Sequence, residues 1–443
     1  MQNTLFSLYS KDFPKWYYFQ NSSELGQIHQ VIPWKELGAL IPAKKNIAGA
    51  PSWLSYEGMF GLMFLKHYTK LADEKLVERL NSDFIFQMFC GINISLEQPI
   101  KDKTFVTRIR KFLSIHLDIN ELQKTMISHW KPELDNKNVL MMDATCFEVD
   151  IRFPTDVKLL WESVLWLWDE QIPSLCKAHK LPIPRSKFSE QQRKQGSYQK
   201  SRKNSFKKTQ KRKKALLNLL NKGIEAYQNL LNQTSAVNLS KKAAARLKTI
   251  KKVYQQQHYL FYNKTTKVPD RIVSLSQPHI RPIVRGKENK PVEFGIKVHM
   301  AQVDGINLVE HHSFNAFNET TRLKISVLKH EKLIGKLSHL AADGIYPTNK
   351  NRVYCTSKGI QTNFVRKGPG KDDKPTKQIK ALLNKERSTR LEGSFGTEKE
   401  HYLLKKIKAK TPATQIIWMM FGVLTANAVN IAKRRTKPIK KVA

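Results

Sequence analysis

The chain has 443 residues, 40 % of them apolar and eight of them Trp, and 77 Lys and Arg stand against 37 Asp and Glu, a formal net charge of +40. That length allows two or three domains, each with its own core, and the apolar fraction excludes a disordered tail. An excess charge of this size repels itself in a compact state, so a polyanionic partner is expected; nucleic acid, ribosome and anionic membrane surface all satisfy that on charge alone.

From the N-terminus, the first twenty residues hold Lys11, Asp12, Pro14 and Lys15 and no continuous apolar run, so no signal peptide is expected. Residues 1–135 read as helical. Glu57 to Tyr68 is apolar on most sides, and apolar residues at 71, 76, 77 and 80 fall close to helical spacing, with Asp73 placed to cap that second helix. A helix-turn-helix-like DNA-binding domain and a plain helical packing domain fit this stretch equally. Asn138 to Glu148 then holds a short apolar run that reads as a buried strand with Asp143 near its C-terminal end. Residues 157–178 have the apolar face of a helix.

The segment 185–214 changes character: it holds 13 Lys or Arg and a single acid, Glu190, with Phe188, Tyr198 and Phe206 interleaved. So dense a run of one sign is either a solvated arm or a phosphate-binding surface, and Arg193, Lys194, Lys211, Arg212 and Lys213 are the DNA contacts it suggests. Residues 215–260 read as two amphipathic helices. Strand character returns at Val292 to Val303, and Asp304-Gly305 between two β-rich runs signals a hairpin. A helix over Leu328 to Leu337, a short strand ending at Asp343, a possible strand over 352–356, a Gly/Pro/Lys loop at 366–377 and charged helix over 378–408 follow. Ile416 to Ile431 is the most apolar stretch, but Gly422, Asn427 and Asn430 interrupt it and it is short for a bilayer span, so a buried helix is expected and no membrane. Cys90, Cys146, Cys176 and Cys355 lie too far apart in sequence for a metal motif or a disulfide framework and fit a reducing compartment.

Two apolar strands thus each deliver an aspartate, Asp143 and Asp343, where open α/β sheets place their chemistry. A carboxylate beside a buried strand is costly unless something pairs with it, and a divalent cation is one such partner; a turn start, as at Asp343-Gly344, is the other reading. On a helix, Glu392, Gly396 and Lys399 share one face, so a carboxylate and an amine can point to one place.

These segments together resemble the catalytic blocks of bacterial insertion-sequence transposases of the Asp-Asp-Glu, RNase-H-like superfamily. Asp143-Ala-Thr with Phe153-Pro-Thr-Asp156 resembles the first block. Arg281-Pro-Ile-Val-Arg-Gly-Lys287 running into Pro291-Val-Glu-Phe-Gly-Ile-Lys297 resembles the strand leading to the hairpin. Ala342-Asp-Gly-Ile-Tyr-Pro-Thr-Asn-Lys-Asn-Arg352 resembles the second block and Leu391-Glu-Gly-Ser-Phe-Gly396 the third, while Leu71 to Gly91 is similar to the N-terminal helical domain. The resemblance covers roughly residues 50–435. It implies an α/β fold: an RNase-H-like mixed-sheet core over 136–435 with a large basic helical insertion at 157–270, preceded by an all-helical DNA-binding domain at 1–135 and followed by a basic tail at 436–443. It also implies catalytic Asp143, Asp343 and Glu392 as ligands of two Mg²⁺ (Mn²⁺ as a substitute), with Lys399 as a phosphate clamp.

The sequence departs from the resemblance in one place. Many relatives carry Tyr and Arg seven and four residues before the Glu and Lys seven after it; here those positions hold Lys385, Ser388 and Lys399. Arg387 and Arg390 are the candidates to replace the missing Arg. Glu398 is a rival for Glu392, since Lys405 follows it by seven residues, and Asp150 and Asp156 are weaker rivals for Asp143.

The implied activity is DNA cleavage and strand transfer at terminal inverted repeats, with Arg285, Lys287 and Lys297 as further backbone contacts, a homodimer on DNA, and a cytoplasmic, nucleoid-associated location. A nuclease that cuts without joining, a DNA-binding relic and an RNA-binding protein are the alternatives; the last leaves the acidic blocks unexplained.

Overall fold

A computed structural model describes residues 13–42, 52–234, 239–284 and 291–436. The chain packs as two units. The first comprises Met1–Asp150, Ile296–Ser313 and Phe317–Ala443; the second comprises Ile151–Gly295 and Phe314–Ala316.

In the first unit, β1 (Val139–Glu148) pairs in parallel with β5 (His339–Ala342), and β5 with β6 (Gln361–Thr362). On the other side, β3 (Val292–Val303) and β4 (Ile306–Ser313) form an antiparallel hairpin with a register shift between His299 and Met300, and β1 lies between β3 and β5. The hairpin turn is the expected Asp304-Gly305, with both residues at positive φ, 47° and 78°. The two-residue turn has little choice, because its twist must match that of the strands it joins.

Helices Tyr56–Thr69, Phe105–His116 and Ile119–Trp130 pack against the long C-terminal helix Pro412–Thr436, which is buried along most of its length. Phe421 on that helix meets Phe60 and Phe64 at ring-centroid distances of 5.9 and 5.3 Å. It is the one helix among the described residues long and apolar enough to cross a bilayer, and 83 % of its apolar window is covered by the rest of the protein. An apolar helix covered by the helices and strand around it is a core helix, as its interrupting Gly and Asn suggested.

Three local expectations are corrected. Asp73 is not a side-chain cap: the helix starts at Asp73 itself, after Ala72, and its carboxylate faces Lys66 Nζ at 2.7 Å and Arg110 at 3.1 Å, both cations being 95 % buried. Two cations in the interior need a carboxylate more than a helix end does, and the helix end can turn to water. Residues 352–356 belong to helix Asn349–Ser357, not to a strand, because the Thr348 side chain accepts from Asn351 N–H and starts the helix. The helix expected over Leu328 to Leu337 runs from Leu323 to Leu333, and Gly335 at φ 138° lies beyond its end.

The second unit holds a core of its own, built from helix Asp156–Leu165, its π-helical continuation Trp166–Gln171, and the long helices Phe206–Gln233 and Lys241–Tyr262. β2 (Pro282–Val284) pairs here with the first residues of β3. Trp168 is its anchor: the indole N–H donates to the Leu219 carbonyl at 3.1 Å, and Gly223 lies against the ring. A Cβ on Gly223 would come 2.6 Å from that indole nitrogen. Gly223→Ala is therefore expected to destabilise this unit by about 1–3 kcal/mol despite the better helix propensity of Ala. A lowered urea midpoint checks it; an unchanged or raised midpoint contradicts it.

Candidate active site

The parallel register of β1 and β5 sets Met142 opposite Ala342, so the next residues, Asp143 and Asp343, emerge side by side on neighbouring strands. Asp343 follows the end of β5 as expected. Asp143 does not end its strand, as the sequence suggested, but sits at its middle, because β1 continues to Glu148. Its side chain is 17 % exposed, while those of Asp343 and Glu392 are 48 and 49 % exposed. Burial pushes the Asp143 carboxyl up to about 6, and the neighbouring Asp343 and Glu319 add to this against the pull of the Ala144 N–H and Arg387.

Glu392 arrives on a continuous helical stretch: Lys374–Glu386, a π-helical turn Arg387–Glu392, then Gly393–His401. Locally, the hydroxyls of Ser388 and Thr389 both donate to the Lys385 carbonyl, at 3.0 and 2.7 Å, and compete for it with the backbone ladder. The π turn has a consequence for the missing signature. It adds one residue to the turn, so the place an α-helix gives to the fourth residue before Glu392, Ser388, passes to the fifth, Arg387. Arg387 accordingly points at the acids. Its guanidinium lies 3.1 Å from Asp143, 2.9 Å from Glu392 and 3.6 Å from Asp343, and is 15 % exposed. Arg390 turns elsewhere, to Glu386 at 2.6 Å and Asp304 at 3.5 Å.

One guanidinium therefore gathers the two aspartates and Glu392. Glu398 does not join them. It is buried, accepts from Asn307 Nδ2 at 2.6 Å, and its other oxygen has no hydrogen-bond partner among the described residues. Burial pushes it up to about 8, against the Asn307 hydrogen bond and Lys399. A carboxyl whose folded value exceeds its ordinary 4.5 keeps a proton that the unfolded chain releases, so its contribution to stability is full below about 4.5 and is lost as pH rises through about 8. Glu398→Gln is expected to remove that dependence: between pH 5 and 9 the variant loses less stability than the parent, by on the order of a few kcal/mol. Denaturant midpoints at the two pH values check this, and parallel losses in both proteins would refute it.

Lys399 is half-buried, with its amine 6.0 Å over the ring of Phe147 on β1. Asp150 lies beyond β1, its N–H donating to the Ile407 carbonyl at 2.8 Å. Asp156 is in the second unit, bound by Lys213 at 2.5 Å and Arg271 at 2.7 Å and accepting from Gln257. Lys297 is engaged internally, with Glu319 at 2.6 Å and the Phe317 carbonyl at 2.9 Å. Arg285 and Lys287 lie outside the described residues.

Next to the acids stands a group the sequence did not single out. Tyr346, fully buried and three residues after Asp343, meets His299 Nε2 at 2.8 Å; His299 Nδ1 lies 3.1 Å from Glu310, which Arg322 approaches to 2.6 Å. Burial, and after it the charges of Glu319, Asp143 and Asp343, push the Tyr346 hydroxyl far up, so it stays protonated. Burial would raise Glu310 too, but the hydrogen bonds from His299 and Arg322 outweigh it and hold it at about 2. The only early sign of this network was the spacing of Asp343 and Tyr346 in one block.

In the second unit the basic run divides by helix face. Arg193, Lys194 and Lys211 are exposed. Arg212 is buried, its donors taken by Gln191 and Gln195 at 2.7–2.8 Å, and Lys213 serves Asp156. Of the three interleaved aromatics, Phe188 stacks on Trp161, Tyr198 bonds Thr209, and Phe206 alone is 79 % exposed. The sequence reading expected helix Lys241–Tyr262 as amphipathic but did not single out its solvent face. Lys248, Lys252, Gln255, Tyr259 and Tyr262 lie three or four residues apart, all exposed, on a helix without a single acid.

Neighbouring strands present two aspartates, and a helix brings a glutamate and a basic residue to them, which is the arrangement expected of a DDE domain. Residues 340–425, from β5 through Glu392 and Lys399, match a family described as Transposase DDE domain, and residues 16–112 match one described as Transposase domain (DUF772). The two matches together are consistent with an insertion-sequence transposase, and the second implies an RNase-H-like core. No curated protein and no solved structure matches it.

Proposed function

We propose that this DDE transposase binds the terminal inverted repeats of an insertion sequence and carries out strand cleavage and strand transfer with Asp143, Asp343 and Glu392. The observation that carries the reading is the convergence of all three carboxylates on the Arg387 guanidinium. Acids from β1, β5 and a helix would not gather at one place without a cation to hold. Their hard oxygen donors fit Mg²⁺, with Mn²⁺ as a substitute. As placed around Arg387 they do not form a closed ligand cluster among the described residues. Two such ions, when bound, supply Lewis-acid activation of the attacking oxygen and stabilise the leaving one.

The chain's own groups account for the rest. Asp143, the most buried of the three, is fixed by the Ala144 N–H at 2.7 Å. Lys399, seven residues after Glu392, is the cation for a phosphate at the scissile bond. The exposed lysines of helices Phe188–Lys200, Phe206–Gln233 and Lys241–Tyr262 contact the DNA backbone, with Tyr259 and Tyr262 along the same ridge. Those contacts make end binding strongly salt-dependent. A homodimer on DNA, acting at the nucleoid in the cytoplasm, completes the reading.

Strand transfer is tested by incubating the protein with a pre-cleaved end duplex and a plasmid target in Mg²⁺. Covalent joining of the end to the plasmid is the expected product. Hydrolysis of a full end without any joining would replace the transposase reading with that of a nuclease.

A further inference from the structure

The Arg387 guanidinium contributes one positive charge against three carboxylates, so it compensates them incompletely and leaves the group strongly attractive to further cations. It also stands between them. The acids cannot close on a shared ion while the guanidinium occupies the space they face, and its Nε is buried without a hydrogen-bond partner among the described residues. An arginine held in place only to support ligands would be expected to have its remaining donor satisfied as well.

We infer that Arg387 is a displaceable latch: it holds Asp143, Asp343 and Glu392 in the metal-free protein by competing for the place divalent cations take, and it must swing out before they bind. The inference rests on the proposed role of these acids as metal ligands. Its physical basis is a direct exchange of one monovalent, bulky cation for smaller ions of higher charge, which pull oxygens in to short distances that a guanidinium prevents. The latch keeps the acids from repelling one another, and it makes metal affinity in the absence of DNA weaker than three carboxylates would otherwise give.

The test is Mn²⁺ binding by the full chain without DNA, followed by calorimetry, for the parent, Arg387→Met, Asp143→Asn and the double variant. The latch predicts that Arg387→Met tightens Mn²⁺ binding at least tenfold and that Asp143→Asn removes it in either background. Unchanged or weaker binding by Arg387→Met, with Asp143→Asn still abolishing it, overturns the latch and leaves the metal reading standing. Binding insensitive to Asp143→Asn overturns both. Should Arg387→Met not fold, Arg387→Lys retains a charge but loses the planar fork, and a severalfold gain in Mn²⁺ affinity is expected from it; no gain or a loss overturns the latch.

Discussion

Replacing Glu392 with Gln is expected to slow metal-dependent cleavage of an end duplex by about a thousand-fold, while Glu398→Gln leaves the rate within about threefold of the parent. Losing one of three charged ligands removes several kcal/mol of transition-state stabilisation, and ~4 kcal/mol corresponds to that factor. The two glutamates lie six residues apart on continuous helix, yet meet opposite surroundings. Glu392 is half exposed and shares Arg387 with both aspartates. Glu398 is 1 % exposed, held by Asn307 and pushed up to about 8, so near neutral pH it is a protonated acid that Gln imitates well. Single-turnover cleavage rates of the two variants decide between them. The reverse pattern would move the third acid to Glu398.

Asp73→Ala is expected to destabilise the protein by about 3–5 kcal/mol, the cost of leaving buried cations without their partner. Among the described residues Asp73 is the acid that pairs with both Lys66 and Arg110, whose side chains are each 5 % exposed, and Arg110 also packs 4.6 Å over Trp418 of the C-terminal helix. Burial lowers Lys66 below its ordinary value, against the pull of Asp73, so it can shed its proton when Asp73 is removed. Arg110 cannot, which keeps the loss large. Thermal unfolding compares the two proteins. A loss below about 1 kcal/mol, the size expected for a helix cap or an exposed pair, would mean that the cations find water instead.

What could be read from the sequence was what is written locally. Buried strands declared themselves by apolar runs, the hairpin by Asp304-Gly305, and the C-terminal helix by an apolar stretch broken with Gly and Asn. Asp143 and Asp343 stood out for the same reason, since a carboxylate beside such runs demands a partner, whereas Glu392 was marked by the face it shares with Lys399 and by the resemblance of its block. What could not be read depends on pairings distant in sequence. That Asp143 and Asp343 are neighbours follows from the register of two parallel strands 200 residues apart, which no local pattern encodes. The choice of Arg387 over Arg390 was hidden by the π turn, because counting four residues back along a regular helix lands on Ser388. The basic run looked uniform as a composition, yet a helix divides it by face, so Arg212 turns inward while Lys211 stays in water. Asp73 likewise has the residue type of a cap, and only the fold reveals the two cations it answers.

The central claim is that Asp143, Asp343 and Glu392 form one metal-dependent DNA-cleaving site. Its most direct measurement is nicking of a labelled duplex carrying the element's own end, in Mg²⁺, by the parent and by Asp343→Asn. Nicking at the end that requires the metal and disappears in Asp343→Asn is the predicted result. Binding of the duplex with no cleavage by the parent in either Mg²⁺ or Mn²⁺, or equal cleavage by the variant, would contradict it.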